Sequence, residues 1–313
     1  MKIKSALLFL LIVFLSGCSH VVTEDNLNSV SNNGLSVAIV ENSLSDTYYE
    51  GENVNIELIA ENKGDYQVDK NKLNLYLSGF NPTAFGKTVE DLKLFNQNSL
   101  SAIFINQNES LITGVEYFTF ENLCYKNDLE NPYRLNLKFI SCFPYETVIS
   151  SKVCSGDPIS NNNGVCTVNE PKSYSNSLGP IQGTSLVENY IGNGDYRFVM
   201  NFMNNGNGDV ISSDKTGDCT NIDSRSTSLM SIKSIKLDGE ELIDSEILNL
   251  ELPQNKDNLR IIDNKGSISF KINQPLEIDY IGDLQITLSH GYKTSFDEIT
   301  TIYDTEGVQG CEL

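Results

Sequence analysis

The chain has no tryptophan, two histidines and four methionines, and its 22 basic residues are outnumbered by 42 acidic ones. Each shortage excludes something. With only His20 and His290 available, a Ser-His-Asp or Cys-His constellation has almost nothing to build on. Zinc sites lose their usual nitrogen ligand, and no C-x-x-C pair offers the sulfur alternative. The formal charge of -20 repels phosphate backbones and anionic headgroups, so nucleic acid is not expected as a partner. Any hold on a membrane has to come from something other than charge. No GxGxxG or P-loop is present; the "GNGD" at Gly206 is shorter and follows a turn. Without an indole, the tyrosines read first as strand and core residues rather than sugar-stacking platforms. Asp214, Asp218 and Asp223 share one stretch, but their spacing misses the EF-hand pattern and reads as a solvated acidic loop. No catalytic residue, metal site or cofactor is assigned, and the chain is expected not to be an enzyme.

What is present begins at the N-terminus. Lys2 and Lys4 precede an apolar run over residues 6–15, too short for a comfortable transmembrane helix and proportioned like an export signal. The run ends in Leu15-Ser16-Gly17-Cys18, which resembles the lipobox of bacterial lipoproteins. The resemblance implies a signal peptide over residues 1–17, cleavage after Gly17 and a diacylglycerol on Cys18. Two acyl chains are enough for stable anchoring. Residues 18–33 are polar and aperiodic, as in a flexible tether. The sequence Asn108-Glu109-Ser110 matches an N-glycosylation sequon.

Beyond the tether, two windows resemble each other. "ENVNIELIAENKG" alternates Val54, Ile56, Leu58 and Ala60 before Asn62-Lys63-Gly64, and "GDYRFVMNFMNNG" alternates Tyr196, Phe198, Met200 and Phe202 before Asn204-Asn205-Gly206. The N-x-G step suits a tight turn with positive φ. A second pair follows in the same order: "RLNLKFISCFPYETVISSKV" and "DLQITLSHGYKTSFDEITTI" each give a strand, a short break, Tyr-x-Thr and another strand. The offsets are 142 (196 minus 54) and 147 (292 minus 145), so the chain is expected to be a duplication. Domain 1 then covers residues 34–170 and domain 2 residues 181–313, with "EPKSYSNSLGP" supplying a linker over 171–180. Short alternating runs such as "LSVAIVE", "LNLYLSG", "GVEYFTFE" and "GSISFKIN" point to an all-β fold of two tandem antiparallel β-sandwiches. Only residues 88–96 look helical, with Val89, Leu92 and Phe95 on one stripe.

The strand, N-x-G, strand pattern resembles immunoglobulin-like modules of prokaryotic cell-surface proteins, the CARDB type among them. The lack of a tryptophan departs from the Cys…Trp…Cys spacing of antibody domains. The resemblance implies an architecture and a compartment, and no catalytic residues. Six cysteines remain once Cys18 is lipidated, and an exported protein pairs an even remainder as disulfides. Cys154 and Cys166 flank a loop signal and suit a bridge at a hairpin base. Cys219 and Cys311 pair if each domain keeps its own bridges. That leaves Cys124 with Cys142, against which strand length argues; Cys124 with Cys154 stays open.

These readings converge on a protein of the cell envelope, exported and held to a membrane by its N-terminal lipid. Its expected role is a non-catalytic interaction or structural module whose partners are other envelope proteins or glycans. The alternative is a solute-binding lipoprotein with a ligand site between its two domains.

Overall fold

The computed structural model describes residues 34–105, 111–155, 166–243, 248–250, 256–273, 280–305 and 311. The expected signal peptide, Cys18, His20, the tether and the Asn108 sequon lie outside them. The first half contributes β1 (Leu35–Ile39), β2 (Thr47–Tyr49), β3 (Val54–Asn62), β4 (Asn74–Ser78), β5 (Lys93–Phe95), β6 (Phe104–Ile105), β7 (Leu111–Ile112), β8 (Gly114–Leu123) and β9 (Tyr133–Ser155). Two short strands follow, β10 (Glu170–Lys172) and β11 (Tyr174–Asn176). The second half contributes β12 (Ile181–Gly192), β13 (Asp195–Asn204), β14 (Asp209–Ile211), β15 (Leu229–Leu237) and β16 (Glu240–Glu241). It ends with β17 (Leu248–Leu250), β18 (Leu259–Arg260), β19 (Lys265–Asn273) and β20 (Tyr280–Tyr303).

The fold is all-β, in several sheets whose pairings are antiparallel except for β2 on β20. One sheet runs β1-β3-β8, a second β10-β12-β13-β19-β17, and the largest β16-β15-β20-β9-β4-β5. Alternation explains the strands. Val54, Ile56, Leu58 and Ala60 of β3 are buried, as are Tyr196, Phe198, Met200 and Phe202 of β13, while their neighbours face outward. Each such Val, Ile, Leu, Met or Phe side chain contributes roughly 1.5–3 kcal/mol by leaving water. Among the described residues no helix is long and apolar enough to cross a membrane.

The two halves repeat each other in structure. β1-β3-β8 has its counterpart in β12-β13-β19, and β4 beside β9 in β15 beside β20. Lys63 N donates to Gly34 O, and at the matching place Asn205 N donates to Pro180 O. Buried Asn62 donates through Nδ2 to Tyr66 O and accepts from Gly64 N; Asn204 does the same with Gly208 O and Gly206 N. The N-x-G step therefore works differently from a positive-φ turn. None of Asn62, Gly64, Asn204 and Gly206 has positive φ, and the asparagine amide closes the turn instead. Gly64 is required for space, since a Cβ there would fall 1.8 Å from Tyr145 Oη.

The repeats join through their last long strands. β9 and β20 pair continuously from Tyr133↔Ile302 to Ser155↔Tyr280, with no break at "FPYET". Pro144 pairs with Gly291, and 291 minus 144 is again 147. A local two-fold axis thus passes through this pair, placing Phe143 opposite Tyr292 and Tyr145 opposite His290. Proline is tolerated because its nitrogen faces away from β20. Val148 N bonds Ser177 Oγ on the outer edge of β9, and the two-residue period puts position 144 on that same edge.

Three expectations need correction. The stretch over residues 170–180 is no free linker: β10 pairs with β12 and β11 with β9, so it is stitched into two sheets, and the described residues of both halves fall in one compact unit. Residues 88–96 form a single 3-10 turn (Glu90–Leu92) followed by β5. Asp91 accepts from Thr88 N and Oγ1, which ties the turn locally, and only Leu92 of the proposed stripe is buried. The expected Cys219–Cys311 and Cys124–Cys142 bridges give way to pairs across the halves, while Cys154 pairs with Cys166.

Candidate functional site

Cys154 and Cys166 stand at disulfide distance, Cα atoms 5.8 Å apart. The other four pair across the repeat: Cys142 with Cys219 at 6.4 Å and Cys124 with Cys311 at 6.0 Å. The expectation of a Cys219–Cys311 bridge and of Cys124 with Cys142 or Cys154 fails because it assumed separate domains. In one shared sheet the nearest partner of Cys142 is the loop after β14. That loop lies against the first half: Asn74 Nδ2 donates to Thr216 O, while Tyr76 Oη and Lys93 Nζ donate to Gly217 O. Its carboxylates are engaged locally. Ser212 Oγ donates to Asp214, Thr220 Oγ1 to Asp218, and the Arg225 and Ser226 amides to Asp223, which holds Asp214 and Asp223 below the usual carboxylate range. Among the described residues no group of three or more His, Cys, Asp or Glu side chains is arranged to hold a metal ion.

The two tyrosines of the repeat flank the two-fold centre. Tyr145 Oη donates to Leu178 O, and Tyr292 Oη donates to Asn204 Oδ1 while accepting from Gly208 N. Burial raises both phenols, Tyr292 to about 12. Between them lies His290, in the middle of β20 and fully buried. Its Nδ1 is 3.2 Å from Gly291 O, and Nε2 has no partner. It occupies the place that Phe143 fills in the first half.

Desolvation holds the imidazole down at about 4, against 6.5 when exposed. The native state therefore binds fewer protons than the unfolded state between these values. The stabilising contribution is complete above pH 6.5 and is lost as pH falls through 4. At about 1.4 kcal/mol per pH unit, the loss amounts to roughly 3 kcal/mol. His290→Phe, which copies the first half, should remove that part of the acid sensitivity. Urea denaturation at pH 7 and pH 4.5 checks it: an equal loss of stability in wild type and variant would sink the idea.

A second buried polar cluster links β10, β12 and β9. The Glu188 carboxylate is fully buried, accepts Cys154 N through both oxygens at 3.1 Å, and pairs with Lys172 Nζ at 2.9 Å. Lys172 also donates to Thr167 O. Burial pushes the Glu188 carboxyl up, partly offset by Lys172.

A groove of about 380 Å³ lies between β1 and the C-terminal part of β20. Leu35, Val37, Ile39 and Phe296 give it an apolar side, and Thr294 and Glu298 a polar one. Phe296 stacks on Phe139 with ring centroids 4.9 Å apart.

Comparison with known proteins returns no match to a family model and none to a curated protein.

Proposed function

We propose that this chain is a lipid-anchored protein of a cell envelope, built from two immunoglobulin-like β-sandwiches and acting as a non-catalytic interaction or structural module. The observation that carries the reading is the fusion of the halves. The β9–β20 ladder and two cross-half cysteine pairs make one inflexible body, which suits a scaffold displaying edges and loops. A solute binder that closes around its ligand needs a hinge between domains, and the shared sheet leaves little room for one. Three cysteine pairs at bridging distance support an oxidising compartment. The greasy leader ending at Cys18 supports lipid attachment, and the acidic surface makes that lipid the membrane anchor.

Expression of the full chain in a bacterial host, followed by membrane fractionation and labelling with a radioactive fatty acid, tests the anchor. Wild type should partition with membranes and carry label. Cys18→Ala should lose both, and a variant that stays membrane-bound would overturn the reading.

A further inference from the structure

The groove beside β1 has a filled counterpart elsewhere in the same molecule. On the outer edge of β20, β14 pairs with residues 291–293 and β2 with residues 301–303, and among the described residues no strand pairs with the stretch between them. Thr301 N donates to Asp46 O and Tyr303 O accepts Glu50 N on this edge. The two-residue period therefore aims the backbone N–H and C=O of Ser295, Asp297 and Ile299 the same way. Across the groove, β1 is the edge strand of its sheet. Gly34 and Val40 bond to β3, so Leu35, Val37 and Ile39 point their backbone groups outward.

The internal two-fold shows what such a seam accepts. Residues 294–298 of β20 correspond to residues 147–151 of β9, and β1 corresponds to β12. In the second half the matching seam is closed by an extended segment: β10 pairs with the edge of β12, then β11 pairs with β9 as Tyr174↔Ser151 and Asn176↔Ile149. That segment alternates, with Lys172, Tyr174 and Asn176 turned inward and Pro171, Ser173 and Ser175 exposed. A strand seated the same way on β20 would place one inward residue opposite Glu298 and, two residues later, another opposite Phe296. Glu298 is exposed and makes no hydrogen bond or ion pair among the described residues, in a chain of net charge -20. Phe296 and the β1 side chains offer an apolar wall.

We propose that the seam between β1 and β20 binds an extended peptide strand of a partner protein, by adding it to the open edge, with a basic residue opposite Glu298 and an apolar one opposite Phe296. Backbone pairing supplies affinity and the two inward side chains supply selectivity. The unpaired stretch of β20, residues 294–299, spans about 20 Å at ~3.3 Å per residue, room for some six residues of strand. The inference deepens the reading as an interaction module but is independent of the lipid anchor. Cys18→Ala protein should bind the peptide as wild type does, so failure of one leaves the other standing.

The probe is a fluorescein-labelled octapeptide, Thr-Ser-Lys-Thr-Phe-Thr-Ser-Thr, titrated into the detergent-solubilised full chain and followed by anisotropy. Wild type should bind it at least 10-fold more tightly than the version with Glu in place of Lys, and Glu298→Lys should reverse that order. Methylating the backbone nitrogen of the central Thr, which faces Asp297, should abolish binding. The unfolding midpoint of Glu298→Lys should match wild type, since the side chain has no partner to lose. The proposal is overturned if Lys and Glu peptides bind alike, if the order survives Glu298→Lys, or if the methylated peptide still binds. It is equally overturned if sedimentation shows the seam occupied by a second copy, in a dimer that Glu298→Lys dissociates.

Discussion

Removing the Cys142–Cys219 pair as a double alanine variant should cost roughly 4 kcal/mol of stability, the chain-entropy value for closing a loop of 77 residues. Alanine is the right replacement because both sulfurs are buried, and serine would add hydroxyls without partners. The effect should spread beyond the bridge. The loop bearing Cys219 is pinned to β4 by Asn74 and Tyr76 and to β5 by Lys93, and without the covalent tie those bonds hold a freer segment. Hydrogen exchange over residues 213–223 should quicken together with a fall in the urea midpoint. A loss under about 1 kcal/mol would mean that β9 and β20 hold the halves together without help from sulfur.

Lys172→Met should cost on the order of 3–5 kcal/mol at pH 7, because it leaves the Glu188 carboxylate buried with no cation. The penalty is that of a stranded charge rather than of a lost attraction. Two consequences separate these. Deprived of Lys172, the carboxyl should take up a proton more readily, so the deficit of the variant should shrink as pH falls. Adding Glu188→Gln should recover most of the lost stability, since it removes the charge while its amide oxygen still accepts Cys154 N. If the double variant is no better than the single one, Lys172 stabilises chiefly through its bond to Thr167 O.

What the sequence disclosed was the local part of this architecture. Alternation at Val54–Ile56–Leu58 and at Tyr196–Phe198–Met200 is a period-2 signal that burial enforces, and those strands stand where the pattern puts them. The Tyr-x-Thr markers at Tyr145 and Tyr292 were visible as a repeat. Their mutual pairing was not, because register between strands 147 residues apart depends on partners that no window contains. The same blindness explains the cysteines: composition gives their parity, whereas Cys124 meets Cys311 only through the shared sheet. "EPKSYSNSLGP" misled through its composition. Pro, Ser and Gly mark a loop, yet Lys172, Tyr174 and Asn176 alternate inward, and the open edges of β12 and β9 recruit them. His290 carries no signal of burial in its own neighbours; only its equivalence to Phe143 would have suggested it.

The shared ladder also sets an order of events for a chain made from its N-terminus. β9 lacks its main neighbour until β20 has been synthesised, and Cys124 waits 187 residues for Cys311, so the first half has no finished state of its own. Meanwhile Cys124 and Cys142 both lack their partners and lie 18 residues apart (142 minus 124), open to a premature crosslink. Assembly dominated by such distant contacts is slow. Oxidative refolding should accordingly accelerate with a disulfide isomerase, and a fragment ending near residue 170 should stay sticky and incomplete rather than settle as an independent module.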